Sequence, residues 1–88
     1  MVDARSKAVA LKYRADKDRA PRVTAKGNGH LAEKIVAIAK ANGIPLHHDQ
    51  NLVELLDALD IDTQIPPELY QAVAEVLALI YRLNREII

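Results

Sequence analysis

The sequence predicts an α/β domain: a small mixed β-sheet packed by helices. Three observations carry this expectation. AVALKY at Ala8–Tyr13 is a short apolar run of strand length, too short for a helix of its own. Three later segments repeat apolar residues at helical spacing. Turn residues and β-branched pairs punctuate the intervals, so strand-type and helix-type segments alternate in the order β-β-α-β-α-α.

In the first strand, Val9, Leu11 and Tyr13 are expected on one face and the small Ala8 and Ala10 on the other. The charged loop Asp16–Arg19 leads to Pro21. A second strand then spans Arg22–Ala25, where Val23 and Thr24 are adjacent β-branched residues, and Gly27-Asn28-Gly29 breaks it. A helix is expected from His30 to Asn42. Leu31, Ile35 and Ile38 form its apolar stripe, widened by Ala32, Val36 and Ala39, and Gly43 is a left-handed cap just past its end. Ile44–His47 reads as a third strand, which Pro45 restricts to a strand end or an edge. The unit from Arg22 to His47 should be a right-handed parallel crossover.

Asn51 followed by Glu54 resembles a capping box, and Leu52, Leu55, Leu56 and Leu59 follow the i, i+3, i+4, i+7 pattern of a short helix. In the last helix Pro67 suits the first turn and Glu68 the N-terminal dipole. Its buried stripe is Leu69, Val73, Val76, Leu77, Ile80 and Leu83, with Arg82 and Arg85 near the C-terminal end. Residues 1–7 read as a polar leader, 8–84 as one domain and 85–88 as a tail.

With 88 residues there is material for a single core, and the absence of cysteine rules out disulfides and thiolate metal sites. The longest apolar run, Val76–Tyr81, is six residues, far short of a membrane span, and the leader has no apolar signal region. The formal net charge is zero, yet residues 1–45 carry ten Lys/Arg against four Asp/Glu, and residues 46–88 two against eight. That asymmetry either polarises a binding surface or decorates ordinary solvated faces.

His47, His48 and Asp49 suggest a metal site only superficially. Consecutive strand residues point to opposite faces, and no ligand spacing brings His30 to them. We therefore expect neither a metal nor another cofactor. Ser6 is the single serine, and neither threonine has a histidine close by in sequence, so no nucleophilic constellation is evident. The glycines before the first helix match no phosphate-binding motif and read as helix-start punctuation. The basic stretch Arg5, Lys7, Lys12, Arg14, Lys17, Arg19, Arg22 and Lys26 is the best case for nucleic-acid binding, but Tyr13 is its only stacking platform. A small basic-faced nucleic-acid-binding domain is accordingly the alternative reading, not the first.

Several stretches together resemble the cytoplasmic C-terminal domain of the FlhB family of flagellar and virulence type III export switch proteins. They are AVALKY, the AP-V-AKG pattern across Ala20–Gly27, the helix through KIVAIAK, Ile44-Pro45, and IPPELYQAVAEVLALIYRL at Ile65–Leu83. The resemblance implies a non-enzymatic interaction module that docks export substrates or switches their specificity at the cytoplasmic face of the export apparatus. It implies partners among export-gate components, export substrates and the hook-length control protein, with no nucleic acid and no direct membrane insertion. It places the docking surface at a small apolar pocket between Ala20 and Pro21 of the loop and Ala74 and Leu77 of the last helix. Leu77 could equally belong wholly to the core.

The sequence departs from the family at one informative place. Relatives carry Asn-Pro-Thr-His before the AVAL strand and cleave themselves between Asn and Pro, a step attributed to attack by the asparagine amide on its own carbonyl carbon. Here Asp3, Ala4, Arg5 and Ser6 occupy those positions. A carboxylate replaces the amide, so Asp3–Ala4 should not be a functional self-cleavage position. The chain resembles a stand-alone version of the released fragment, and two expectations follow. Either Ala8, Val9, Ala10 and Leu11 form an open strand-pairing edge, or Val2–Arg5 folds back or a helix covers it. His47–Asn51 differs from the corresponding family loop, which implies a different partner contact there.

Overall fold

A computed structural model describes residues 1–4, 6–14 and 16–87. Arg5, and the side chains of Ile80, Arg82, Leu83 and Arg85, lie outside the described residues. Four strands, β1 (Val2–Ala4), β2 (Lys7–Lys12), β3 (Arg22–Asn28) and β4 (His47–His48), form one sheet in the order β3-β2-β1-β4. The helices are α1 (His30–Ala41), α2 (Gln50–Asp57) and α3 (Tyr70–Ile87), the last preceded by a 3₁₀ turn at Pro67–Leu69. α3 thus extends into the residues expected to be a tail.

The mixed sheet and three helices agree with the predicted class, with one added strand. The leader folds back: Val2 pairs with Val9, Asp3 with Ala8 and Ala4 with Lys7, all antiparallel. The fold-back alternative therefore holds at Ala8 and Val9, whereas the pairing with β1 stops short of Ala10 and Leu11, which ladder only to β3 on the other side. The leader can do this because alternation turns Val2 inward, where it is 1% exposed and joins the core. β4 then adds in parallel to β1, with Val2 opposite His47 and Asp3 opposite His48. Two antiparallel steps separate β3 from β1, so β3 and β4 run in the same direction and the α1 crossover passes over two strands. The Met1 ammonium donates to the Pro45 carbonyl at 2.9 Å, and burial lowers its pKa, with Asp3 opposing the shift.

The two sheet faces differ in side-chain size. Val2, Val9 and Val23 meet Leu52, Val53 and Leu56 of α2 and Val73 and Val76 of α3 in one core. The opposite face presents Ala8, Ala10, Ala25 and Gly27, and α1 lies on it through the buried Ala32 and Ala39. Leu31 and Ile38, expected inside, are instead more than half exposed, because a sheet face built of Ala and Gly admits the helix backbone closely and leaves its larger residues flanking the contact. Ala8 is fully buried under α1, and Val9, on the other face, is fully buried in the core with α2 and α3. Tyr13 lies beyond the strand end and is exposed.

Other boundaries move for local reasons. β3 runs through Gly27 and Asn28 because β2 continues to supply partners, Ala8 and Lys7. A bulge between the Ala10 and Leu11 pairings keeps Leu11 and Val23 together on the core side. Gly43 has φ 66°, the left-handed cap read from sequence. The third strand begins at His47 rather than Ile44. The helix after it is capped by Asp49, whose Oδ1 accepts from the Leu52 N–H at 3.0 Å, and not by Asn51. Leu55, expected in the buried stripe of this helix, is exposed, and Val53 takes its place in the core.

Candidate functional site

The start of β3 carries, on the edge away from β2, a second backbone pairing that builds the candidate site. Ile65 N–H donates to the Pro21 carbonyl at 2.9 Å, Val23 N–H to Thr63 at 2.9 Å, and Asp62 N–H to Val23 at 2.7 Å. These bonds hold the Ala20-Pro21 segment beside the Ile65 approach to α3. The result is a cavity of about 300 Å³ between loop and helix.

Ala20, Pro21, Ala74 and Leu77, named from sequence, all line this cavity. Ala20 and Pro21 are buried, Ala74 is exposed and Leu77 is half-buried. Small side chains at positions 20 and 74 leave the concavity. Leu77 both lines the cavity and packs against the core, which joins the two readings of that residue. Ile65 and Val73, 2% and 1% exposed, complete the apolar lining, and Tyr13 and Tyr70 line it with nearly half of each surface open. Sequence reasoning missed these residues. Their available signal was amphipathic: a tyrosine just past a strand and another at the first turn of a helix each offer an apolar body and a polar tip. Among the described residues Arg19 is the only charged one in the lining. Among the described residues the cavity thus has an apolar floor and a partly open, partly aromatic rim.

The remaining named residues lie elsewhere. Asp3 sits on β1, its side chain 13% exposed and Oδ1 2.7 Å from His48 Nδ1, although that oxygen has no aligned hydrogen bond. Ala4 is the last residue of β1. His47 and His48 contact separate acids: His47 Nε2 is 3.7 Å from Asp49 and His48 reaches Asp3. Among the described residues no group of three potential metal ligands converges. No helix among them is long and apolar enough to cross a membrane. The basic stretch divides. Lys7 and Lys26 turn to α2, where Lys7 is 3.7 Å from the Asp57 carboxylate and Lys26 donates to the Asp57 carbonyl at 2.9 Å. Lys12, Arg14, Lys17 and Arg22 instead line a separate cleft with Asp18. Tyr13, the one candidate stacking platform, belongs to the apolar cavity.

Comparison with known proteins follows this architecture closely. The model of the FlhB HrpN YscU SpaS family matches residues 3–80. The chain is 49% identical to the Bacillus subtilis protein YlqH, over 92% of this chain and 87% of that protein. It is 46% identical to the flagellar biosynthetic protein FlhB of Aquifex aeolicus, over 81% of this chain but 21% of FlhB, so it spans about a fifth of such relatives. The crystal structure of the cytoplasmic domain of FlhB from Shewanella putrefaciens superposes with a TM-score of 0.88 at 34% identity, covering 97% of this chain and 68% of that one. The sheet order, the Ala-Pro segment against the last helix and these matches lead to one conclusion: the chain belongs to the FlhB HrpN YscU SpaS family.

Proposed function

We propose that this domain is a non-enzymatic interaction module of a flagellar or type III protein export apparatus, acting at its cytoplasmic face. In this reading it holds an apolar side chain of an extended export substrate in the Ala20–Pro21–Ala74–Leu77 cavity, as the released FlhB fragment would. Export-gate components and the hook-length control protein are its other partners. The observation that carries the reading is the convergence of those four residues on one apolar concavity of about 300 Å³. Family membership supports the export context, and the carboxylate at Asp3 supports a module without self-cleavage.

The test is binding of a purified export substrate to the domain and to Ala74→Trp. Ala74 is exposed, so an indole there should occupy the cavity without disturbing the core. Burying a leucine-sized anchor is worth about 1.5–3 kcal/mol, and the lower figure suits a half-open groove, so affinity should fall about tenfold. An unperturbed circular-dichroism spectrum and melting temperature establish that the fold is intact. Unchanged affinity in a folded variant overturns the docking site. Retention on DNA or RNA that salt abolishes, with no export protein bound, would overturn the export reading itself.

A further inference from the structure

The residues lining the apolar cavity and the neighbouring basic cleft interleave along one loop. Tyr13, Arg19, Ala20 and Pro21 face the cavity, whereas Lys12, Arg14, Lys17, Asp18 and Arg22 line a cleft of about 180 Å³. A single strand of backbone is therefore the wall between the two. Five cations line these spaces, and among the described residues Asp18 is the only acid that does so.

Asp18 offsets one of these five charges and leaves the lining net positive. Its Oδ2 accepts from the Arg14 backbone N–H at 3.1 Å, and its Oδ1 is 3.9 Å from Arg22 Nη2, too long for a hydrogen bond. The Nε of Arg22 is buried without a hydrogen-bond partner. A buried guanidinium N–H left unmade is costly, and this one draws nothing from Asp18. The turn is held by its own backbone, with the N–H groups of Lys17 and Asp18 both donating to the Arg14 carbonyl at 3.0 and 2.7 Å. The cations thus project from a formed loop.

We propose that this rim selects the sequence around the anchor: the preferred partner is an extended peptide whose apolar side chain is flanked by carboxylates. This inference rests on the docking reading of the cavity and deepens it. Arg19 meets a carboxylate next to the anchor, and the Lys12–Arg14–Lys17–Arg22 cleft meets one within about four residues, at roughly 3.3 Å per extended residue. Guanidinium groups suit carboxylates through two parallel N–H donors. The positive rim repels peptides whose anchor is flanked by lysine or arginine, which gives discrimination as well as attraction.

The experiment uses three labelled synthetic peptides in a fluorescence-anisotropy titration: a leucine flanked by Asp and Glu, the same peptide with Asn and Gln, and the acidic peptide with serine for leucine. At ~20 mM salt the acidic leucine peptide should bind about tenfold more tightly than its amide counterpart, with the gap closing near ~0.5 M salt. Arg14→Gln/Lys17→Gln, both outside the cavity lining, should close most of the gap and leave the amide peptide's affinity within about twofold. In Arg14→Glu/Arg19→Glu the preference should fall further or reverse, which identifies the rim even if one variant alters the loop. Equal affinity for the two leucine peptides overturns the charge selection and leaves the cavity reading in place. Undiminished binding of the serine peptide overturns the coupling of anchor and acid. Absence of binding by both leucine peptides overturns the cavity reading together with this one.

Discussion

Adding one methyl group at Gly27 tests how α1 is seated. Gly27 lies within β3 opposite Ala8, with backbone dihedrals that any residue can adopt, so backbone entropy alone would make Gly27→Ala stabilising by about 0.5–1 kcal/mol. The added Cβ would, however, sit 2.6 Å from Leu31 Cγ, 2.9 Å from Cδ2 and 3.0 Å from Cβ. Rotation about χ1 of the half-exposed Leu31 can move Cγ and Cδ2, but it takes Leu31 out of its packed rotamer, and Cβ is fixed to the helix, so α1 must also give by a few tenths of an ångström. Overpacking of this kind costs about 1–3 kcal/mol; its middle, about 2 kcal/mol, set against the entropic gain of about 0.5–1 kcal/mol leaves a net loss of about 1–1.5 kcal/mol. For a domain of this size each kcal/mol lowers Tm by about 4–8 °C, so the variant should melt roughly 4–12 °C below the parent. Urea denaturation of the parent, Gly27→Ala, Leu31→Ala and the double variant forms a thermodynamic cycle. Leu31→Ala removes the two nearer contacts but keeps its own Cβ, so the double variant should recover about 1 kcal/mol relative to additivity. Equal or greater stability of Gly27→Ala, or strict additivity, would refute the close seating of α1.

Two further perturbations probe other parts of the chain. Asp49→Ala removes the acceptor for Leu52 N–H and should cost about 1 kcal/mol by urea denaturation, whereas Asn51→Ala should cost under about 0.3 kcal/mol. Equal losses would mean that Asn51 shares the cap. Installing the family motif through Asp3→Asn/Ala4→Pro/Arg5→Thr/Ser6→His should confer self-cleavage, read by intact mass as loss of residues 1–3 at mildly alkaline pH, while the parent mass stays unchanged. Cleavage of the parent chain would show that Asp3 supports the chemistry after all.

The strands and helices were legible where local chemistry decides them. AVALKY, the Gly43 cap and the proline start of the last helix all act through nearest neighbours. Errors arose where the far side of a contact decides. Leu31 and Ile38 have the spacing of a buried stripe, but Ala8, Ala10, Ala25 and Gly27 line the facing sheet, and Ala32 and Ala39 approach it closely instead. Asp49–Leu52 and Asn51–Glu54 have the same three-residue offset, and the end of β4 at His48 selects the former. β1 stood in the sequence only as the fold-back alternative for Val2–Arg5, because its turn carries no Asn-Gly or Asp-Gly signal and Ser6 takes φ 109° without glycine. At the candidate site, family resemblance located Ala20, Pro21, Ala74 and Leu77. Ile65 and the tyrosines become part of the cavity only through the pairing of residues 21–23 with 62–65, which no local pattern announces.

The position of β1 between β2 and β4 also sets the timing of assembly during synthesis. Its pairing with β2 closes over a two-residue turn and is available as soon as Val9 has left the ribosome. Its other side waits for His47, which is 45 residues downstream of Val2, so the sheet acquires its fourth strand only after α1 has been made. A nascent chain stopped before His47 therefore displays, on its earliest strand, the hydrogen-bonding groups that the finished protein keeps for β4.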